Sequence, residues 1–344
     1  MRAVVFRKHG DESVLELADV PDPAVGARDV RVKVHAVALN HLDLWVRKGL
    51  PGLKVPFPHI TGADVAGTVE SMGAEVKDLQ VGAEVVINPG LSCGACEKCL
   101  AGQDALCRDY MILGEHRAGG YAELVTVPRQ NVLPKPKRLT MAESACIPLT
   151  FLTSWTMLVR RAQVRPGETV LVHAAGSGVG SAAVQIAKLA GATVIATASS
   201  DEKLQHAKAL GADHLVNYAQ QDFLEEVKKI TGRKMVDVVF EHVGASTWDK
   251  SVASLAWGGR LVTCGATSGF EAKIDLRVLF RKQLSLLGST MGSKGDLFQV
   301  LRLVEEGKLR PVLDRTMPLS QAADAHRLLA GRGQFGNVVL VPSP

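Results

Sequence analysis

Residues 93–107, CGACEKCLAGQDALC, place four cysteines within fifteen positions, and their types and spacing suggest a metal site. The cysteines are Cys93, Cys96, Cys99 and Cys107, in the pattern C-x2-C-x2-C-x7-C, and the whole chain has six. Four thiolates at this spacing suit a tetrahedral zinc site with no position open for a substrate. In a reducing compartment, a metal explains clustered cysteines better than disulfides do. We therefore expect one structural zinc per chain, which orders a loop with little core of its own.

A glycine-rich turn lies within VLVHAAGSGVGSAAVQIAKLAGATVIATASS in the second half of the chain. The order of strand, turn, helix and second strand is that of the first βαβ unit of a dinucleotide-binding fold. Gly176, Gly178 and Gly180 let the backbone approach a pyrophosphate, and the amides at the helix start, next to Ser177 and Val179, can hold its charge. Without a surrounding βαβ unit, such a turn would indicate only a tight connection. Here the unit is complete, which predicts a nicotinamide cofactor.

The end of the second strand, ATASSDEK, bears on the choice between NAD and NADP. An NAD site usually ends this strand with an acidic residue that bonds the ribose diol, and Ala198 stands at that position. Ser199 and Ser200 follow with hydroxyl donors, and Lys203 can place a positive charge near a 2′-phosphate. We therefore predict NADP(H). One serine can also cap the helix DEKLQHAKAL while the other binds phosphate.

The elements that must position these residues follow two different patterns of secondary structure, one in each part of the chain. Up to about residue 150, short β-branched runs such as DVRVKVHAVAL alternate with Gly, Pro and Asp, which predicts a β-rich, barrel-like domain. From about 165 to LSLLGST, strands alternate with helices, which predicts a doubly wound parallel sheet. The last segment does not extend that alternation, so we expect it to return to the first domain. The predicted domains are 1–152, 153–290 and 291–344, in an α/β plus β fold.

Composition and charge exclude several classes of protein. The chain has 344 residues, of which 47% are hydrophobic and 22% charged, as in a globular protein of two domains. Its net charge of +5 is spread along the chain, so nucleic acid is not an expected partner. The densest basic stretch, 128–139, contains three prolines and is interpreted as a solvated connector. We find no signal peptide or membrane-spanning run, and we predict a cytoplasmic protein that acts on a small-molecule substrate.

The β-rich first half, the four-cysteine loop and the dinucleotide unit together resemble the medium-chain dehydrogenase/reductase superfamily over essentially the whole chain. The resemblance implies a GroES-like catalytic domain, a Rossmann domain and a structural zinc on the four cysteines. In the zinc alcohol dehydrogenases of that family, a second, catalytic zinc is bound by a cysteine, a His-Glu pair and a third ligand. Those positions here are Asn40-His41-Leu42-Asp43, Gly62-Ala63-Asp64 and a residue close to Leu149, which do not form a zinc site.

The segment LNHLDLWVRKG, with Asn40, Asp43 and Arg47, resembles the zinc-free quinone oxidoreductases, which reduce quinones, enones and related activated alkenes with NADPH. That branch usually lacks the four-cysteine loop, so this chain combines features of both branches. The same resemblance places further residues at the cofactor: Thr153 behind the nicotinamide ring, Val243, Gly244, Gly265 and Ala266 near it, and Tyr218 beside the 2′-phosphate.

Without a catalytic metal, the substrate must already be electrophilic, because no Lewis acid polarises its oxygen. We predict hydride transfer to an activated C=C bond or a quinone, with Asn40 donating a hydrogen bond to the enolate oxygen. Asn40 could instead satisfy local backbone groups. Asp43 and Asp64 are further site residues, Asp64 being expected to pair with a basic residue, and Trp45 is interpreted as a pocket wall.

Two other functions are also compatible with the sequence. One is an NAD(P)-dependent alcohol dehydrogenase with an unorthodox catalytic metal bound through His41, His59, Asp43 or Asp64. The other is a cofactor-binding protein without turnover. By resemblance, the chain is expected to self-associate as a dimer or tetramer through the apolar strand LSLLGST.

Overall fold

The computed structural model describes residues 1–342, which form two compact units. Unit 1 comprises Met1–Leu149 and the C-terminal segment from Gly292, and unit 2 comprises Thr150–Met291. The predicted α/β plus β fold is confirmed, since unit 1 is built around a mixed sheet and unit 2 around a parallel one.

The N-terminal part of unit 1 is rich in strands. The elements are β1 (Arg2–Val5), β2 (Glu16–Asp19), β3 (Asp29–Ala38), α1 (His41–Lys48), β4 (Asp64–Met72), β5 (Glu84–Ile87), β6 (Gly90–Leu91), α2 (Glu97–Leu100), β7 (Met111–Ile112), β8 (Leu124–Pro128), β9 (Val132–Pro134) and α3 (Met141–Ala145). Strand β3 shows why the sheet forms, because Val30, Val32 and Val34 alternate inward while the residues between them face outward. It pairs antiparallel with β4 and β8, at the centre of an apolar core.

The basic stretch 128–139 is not a solvated connector, so that interpretation is wrong. Strand β9 lies within it and pairs antiparallel with β5, with Leu133 opposite Val86. Val132 and Leu133 are 3% and 1% exposed. Burying these two adjacent apolar side chains removes apolar surface from water, which stabilises the strand in the core. Pro128 and Pro134 fall at strand ends, where the lost N–H does not interrupt a ladder.

Unit 2 contains the parallel sheet expected from the alternation of strands and helices. Its elements are α4 (Pro148–Trp155, continued by a π-helical turn over Thr156–Arg161), β10 (Thr169–Val172), α5 (Gly178–Leu189), β11 (Thr193–Ala198), α6 (Asp201–Ala209), β12 (His214–Asn217), α7 (Phe223–Ile230), β13 (Val236–Glu241), α8 (Ala245–Ala253), β14 (Leu255–Thr263), α9 (Leu276–Arg281) and β15 (Ser285–Gly288). The parallel strands run in the order β12-β11-β10-β13-β14-β15. Strand β10 is almost entirely buried, as a strand covered by helices on both faces must be.

The C-terminal segment completes the sheet of unit 1. Its elements are α10 (Lys294–Glu305), β16 (Leu313–Pro318), α11 (Ala322–Ala330) and β17 (Asn337–Val341). Strand β17 pairs antiparallel with β3, with Val339 opposite Ala38. Within residues 1–342, the helices are all too short or too polar to cross a bilayer.

Candidate functional site

The four cysteines come together as their spacing predicted. Their sulfur atoms all lie within 4.8 Å of one another. The separations are 3.8 Å for Cys93 and Cys99, 3.5 Å for Cys96 and Cys99, and 3.6 Å for Cys93 and Cys107. Tetrahedral Zn–S bonds of ~2.3 Å would place the sulfurs ~3.8 Å apart, so the geometry fits one zinc ion. Four thiolates would complete the coordination of such an ion and leave no position open for a substrate.

Charged and polar contacts fix the four-cysteine loop to the start of α10. The Lys294 backbone N–H donates to Asp104 at 3.1 Å, and its ammonium group reaches the same carboxylate at 3.1 Å and the Ser92 hydroxyl at 2.7 Å. Backbone N–H groups of Ala95 and Cys96 lower the pKa of Cys93 to about 6, which favours the thiolate that a metal needs.

A buried pair of carboxyl groups, Asp43 and Asp64, forms the second polar centre of unit 1. The Asp43 carboxylate accepts from the Asn40 backbone N–H at 2.7 Å, the Thr61 hydroxyl at 2.7 Å and the Gly62 N–H at 2.9 Å. It therefore caps α1 and ties that helix to the loop before β4. Burial raises its pKa to about 6, against the opposing effect of these hydrogen bonds.

Asp64, the first residue of β4, is fully buried and its pKa is raised further. Its carboxyl group accepts from the Asn40 side-chain amide at 2.9 Å and from the Leu149 N–H at 2.8 Å. Burial raises its pKa to about 8, and the nearby charge of Asp43 adds to the effect. The expected pairing of Asp64 with a basic residue is wrong, because an amide and a backbone N–H satisfy it instead. The raised pKa favours the protonated, neutral form of Asp64 near pH 7.

The positions that the family resemblance assigns to a catalytic zinc are hydrogen bonded to one another in this chain. Asn40 and the Leu149 backbone both donate to Asp64, and Ala63 contributes only a methyl group. His59 is buried with its Nε2 atom 3.1 Å from the Gly114 carbonyl, and burial lowers its pKa. Within residues 1–342, the four-cysteine loop is the one cluster of three or more potential metal ligands. The donor set suggested for an unorthodox catalytic metal is thus not brought together.

A chain of polar side chains behind Asp43 was not found by sequence reasoning. The Tyr121 hydroxyl lies 3.1 Å from Nε2 of His326, whose Nδ1 lies 3.0 Å from the Arg47 guanidinium. Gly62 makes room for it, because a Cβ atom there would lie 2.4 Å from the Tyr121 ring. Tyr121 and His326 are 205 positions apart, so no local pattern could have linked them.

Trp45 lies on α1 and is partly exposed, with its ring 6.4 Å from the ring of His41. An aromatic face of this kind can contact a flat or apolar substrate. Its role as a pocket wall stays a prediction.

In unit 2, the glycine-rich turn has the geometry that a dinucleotide requires. Ser177 caps α5 by accepting from the Gly180 N–H at 3.0 Å. A Cβ atom at Gly180 would lie 2.4 Å from the Ala174 carbonyl oxygen, so only glycine lets helix and strand pack this closely. The N–H groups of Gly178 and Val179 belong to the first helical turn and have no partner within the helix. They can hold a pyrophosphate.

The residues predicted to select NADP lie at the carboxyl ends of β11 and β12. Ser200 caps α6 by accepting from the Lys203 N–H at 3.4 Å, while Ser199 is exposed. The Tyr218 N–H donates to the Ala198 carbonyl at 3.0 Å, and Tyr218 is 39% exposed. Ser199 and Tyr218 therefore lie at neighbouring strand ends, where a 2′-phosphate could be bound.

The turn after β13 is held by Glu241, a residue that sequence reasoning missed. This buried carboxylate accepts from the N–H groups of Val243 at 2.6 Å and Gly244 at 3.2 Å, and from the hydroxyls of Thr247 and Ser251, each at 2.8 Å. Gly244 has φ +94°, which favours glycine.

The turn after β14 packs against the turn held by Glu241. The Ser268 N–H donates to the Val243 carbonyl at 2.7 Å, and Ala266 lies against Gly244. Gly265 lies just beyond β14, where its carbonyl accepts from Thr263 at 3.1 Å. Thr153 lies on α4 with its hydroxyl 3.9 Å from the Met291 sulfur. The structure thus brings together Val243, Gly244 and Ala266 of the predicted cofactor residues.

Comparison with known proteins shows the family to which this chain belongs. The alcohol dehydrogenase GroES-like domain matches residues 26–137, and the zinc-binding dehydrogenase domain matches residues 178–306. The chain is 34% identical to an NAD-dependent alcohol dehydrogenase of Saccharolobus solfataricus, over 99% of this chain and 100% of that protein. It is 32% identical to a quinone oxidoreductase of Pseudomonas aeruginosa over 99% of each. It is also 31% identical to an acryloyl-coenzyme A reductase of Sulfurisphaera tokodaii, over 99% and 100%.

Solved structures agree with these relatives. A crystal structure described as an NAD-dependent alcohol dehydrogenase superposes with a TM-score of 0.96 at 56% identity, covering 99% of each chain. A crotonyl-CoA carboxylase/reductase in complex with NADP superposes with a TM-score of 0.92 at 27% identity, covering 99% of this chain and 94% of the other. The chain belongs to the medium-chain dehydrogenase/reductase family and is a nicotinamide-dependent oxidoreductase.

Proposed function

We propose that this protein is an NADPH-dependent reductase that transfers hydride to an activated C=C bond or a quinone, without a catalytic zinc and with a structural zinc in the four-cysteine loop. The observation that carries the proposal is the hydrogen-bonded set formed by Asn40, Asp64 and Leu149. These residues satisfy one another and offer no set of metal ligands. Such a site suits a substrate that is electrophilic before it binds.

The preference for NADPH is supported by the end of β11. Ala198 offers no carboxylate to a ribose diol, and Ser199 and Tyr218 are exposed beside it. Ser200 is engaged as a helix cap, so Ser199 is the serine proposed to bind the 2′-phosphate. The two turns that Glu241 organises supply fixed backbone groups for the nicotinamide end of the cofactor.

The glycine-rich turn at the start of α5 and the turn held by Glu241 would hold NADPH, which would supply a hydride for the β-carbon of a conjugated acceptor. The electrons of the C=C bond would move to the carbonyl oxygen, and a proton from solvent would complete the α-carbon. Asn40 is 7% exposed and uses one side-chain N–H for Asp64. Its second N–H can donate to the developing oxyanion. Asp43 and Asp64 are 1% and 0% exposed, so they act by positioning Asn40 instead of touching the substrate.

A second candidate is an alcohol dehydrogenase, favoured by the 56% identity to the solved protein described as an NAD-dependent alcohol dehydrogenase. It predicts oxidation of an alcohol with NAD or NADP, and a metal in addition to that of the four-cysteine loop. The crotonyl-CoA and acryloyl-coenzyme A reductases among the relatives favour the first candidate, since their named substrates carry an activated C=C bond.

The experiment that separates the candidates measures zinc content and turnover together. The full chain is assayed with NADPH and NADH on an α,β-unsaturated thioester, an enone and a quinone, and with the oxidised cofactors on primary and secondary alcohols. Reduction by NADPH at one zinc per chain, insensitive to a chelator that leaves the fold intact, supports the reductase. Alcohol oxidation that the chelator abolishes, with two zincs per chain, supports the dehydrogenase. Tight NADPH binding with no turnover contradicts both.

Asn40→Ala tests the role of the amide. Loss of one oxyanion donor is expected to lower kcat by ~10²-fold or more. Gln80→Ala, which removes an exposed amide of the same unit, is the matched control and should keep the wild-type kcat. Equal activity of wild type and Asn40→Ala would contradict the assignment.

Self-association is part of the proposal. Strand β15 lies at the edge of the parallel sheet, with Leu286 and Leu287 partly exposed. An apolar edge strand of this kind suits pairing with a second copy. Light scattering of the purified chain would show a dimer or tetramer, and a monomer would contradict it.

A further inference from the structure

A chain of buried side chains connects the two turns of unit 2 that are proposed to hold the cofactor. Its centre is His173, which follows β10 and precedes the glycine-rich turn. Nε2 of His173 lies 2.9 Å from the Ser251 hydroxyl on α8, which donates to the Glu241 carboxylate at 2.8 Å. All three side chains are buried, so water competes little for these hydrogen bonds.

The other side of the His173 ring faces the start of the glycine-rich turn. Its Nδ1 atom lies 3.3 Å from the hydroxyl of Thr197 on β11. Thr197 accepts from the Ala174 N–H through this hydroxyl at 3.3 Å and from the Ala175 N–H through its carbonyl at 2.8 Å. Ala174 has φ +45°, a conformation that residues other than glycine seldom adopt. The contacts of Thr197 therefore fix a strained residue at the first position of the turn.

The chemistry of the side chains sets the direction of each hydrogen bond. A carboxylate only accepts, so Ser251 donates to Glu241, and the Ser251 oxygen accepts from the Nε2–H of His173. Nδ1 then accepts from the Thr197 O–H. A doubly protonated ring would leave that O–H without an acceptor in the described part of the chain. Burial also lowers the pKa of His173, against the opposing charge of Glu241, which favours the neutral ring.

A second contact between the two turns involves the backbone of His173. Nε2 of His242, the residue after Glu241, lies 2.9 Å from the His173 carbonyl and donates to it, since a carbonyl only accepts. This contact does not use the His173 side chain. We therefore expect variants of that side chain to keep the fold of unit 2.

We propose that His173 is a positioning residue whose Nε2–H tautomer joins the glycine-rich turn and the turn held by Glu241 into one hydrogen-bonded unit with a fixed spacing. A cofactor that reaches both turns then binds without the entropic cost of ordering them separately. The inference rests on the proposed placement of the cofactor at these turns. It does not depend on which acceptor is reduced.

Two substitutions test the two ends of the His173 ring separately. His173→Asn keeps an acceptor near the position of Nδ1 and removes the donor to Ser251, whereas His173→Gln places an amide N–H near the position of Nε2. The full chain is titrated with NADPH and with NADH, and cofactor fluorescence gives the Kd. We expect a rise of about tenfold in His173→Asn, the equivalent of one hydrogen bond, and a smaller rise in His173→Gln. The opposite order, or a wild-type Kd in His173→Asn, would overturn the proposal.

ADP is the probe for the glycine-rich turn alone, because it carries a pyrophosphate and no nicotinamide. A fixed spacing between the turns gives no advantage to a ligand that reaches only one of them. The Kd for ADP should therefore be the same in the wild type and in His173→Asn. If it rises as much as the Kd for the cofactor, the effect lies within one turn and the joining role is wrong.

Ser251→Ala removes the partner of His173, and Ser254→Ala is the matched control. Ser254 is a second buried serine, just after α8, and its hydroxyl donates to the Lys250 carbonyl at 2.7 Å. The control should keep the wild-type Kd, whereas Ser251→Ala should raise it. Adding His173→Asn to Ser251→Ala should have little further effect, because the two residues share one link. Additive effects on the binding free energy would contradict that link.

The tautomer of His173 is measured by ¹⁵N NMR of the full chain with labelled histidine, and its signals are identified by their loss in His173→Gln. We expect a proton on Nε2 and none on Nδ1 near pH 7. A ring protonated on Nδ1 at this pH would overturn the proposal. The NMR measurement needs no cofactor and the Kd measurements need no acceptor, so failure of the proposed reductase activity is distinguishable from failure of this inference.

Discussion

Replacing Asp64 by asparagine should make this protein more stable at neutral and alkaline pH, although it removes a residue of the candidate site. Asp64 is fully buried and has no basic partner in the described residues 1–342. Its pKa is about 8 in the folded chain, against about 3.8 for an ordinary aspartate. Between these values the unfolded chain has released a proton that the folded chain retains, so raising the pH favours unfolding.

The size of this effect on the free energy of unfolding follows from the difference between the pKa of Asp64 in the folded chain and in the unfolded chain. Each pH unit between about 4 and about 8 should lower the free energy of unfolding of the wild type by ~1.4 kcal/mol at this residue, on the order of 5 kcal/mol in all. The contribution of protonated Asp64 to the free energy of unfolding is fully present below the pKa of this residue in the unfolded chain. It is lost as the pH rises through the pKa of this residue in the folded chain. Asparagine does not titrate, so the difference between the two proteins should grow with pH and level off above about 8.

Asparagine can also fill the site. Its carbonyl oxygen can accept from the Leu149 N–H as Asp64 does, and Asn40 can turn its carbonyl toward the new amide. Any loss of hydrogen-bond quality is a pH-independent offset of about 1 kcal/mol. It therefore shifts the free energy of unfolding by the same amount at every pH and does not change how that free energy varies with pH.

The assay is urea unfolding of the full chain at a series of pH values, with the free energy of unfolding of wild type and Asp64→Asn compared at each. Asp19→Asn, at an exposed position of β2, is the control and should follow the wild-type curve. Parallel curves for wild type and Asp64→Asn across this range would refute the argument that Asp64 is buried as a neutral carboxyl group.

Three further predictions concern the cofactor and the metal. Ala198→Asp places a carboxylate at the end of β11, so kcat/KM should shift from NADPH toward NADH, and an unchanged ratio would contradict the assignment of the 2′-phosphate site. Glu241→Gln leaves the N–H groups of Val243 and Gly244 with a weaker acceptor. The KM for NADPH should therefore rise by ~10-fold, and the melting temperature of unit 2 should fall. An unchanged KM would show that the turn keeps its conformation without the charge. Cys96→Ser should remove the zinc and lower the thermal stability of unit 1 more than Cys264→Ser does, as measured by elemental analysis and calorimetry, and full zinc content in Cys96→Ser would contradict the four-thiolate site.

Features that depend on neighbouring residues could be predicted from the sequence. The four cysteines lie within fifteen positions, so any compact loop brings their sulfurs together. The glycine-rich turn and the alternation of strands and helices likewise reflect local backbone preferences, and both are present in unit 2. The cap formed by Ser200 is of the same kind, since its partner is three residues away.

Contacts between distant segments were decided by the tertiary structure alone. Leu149 satisfies Asp64 across 85 positions, and His326 reaches Tyr121 across 205, so neither residue carries a local signal of its role. Prolines and basic residues at 128–139 suggested a connector, yet the open edge of β5 gave Val132 and Leu133 a ladder partner and a core to enter. The pKa values of the carboxyl pair also depend on the tertiary structure. The sequence determines that Asp43 and Asp64 are present, whereas the desolvation and the donors that separate their pKa values exist only once the chain has folded around them.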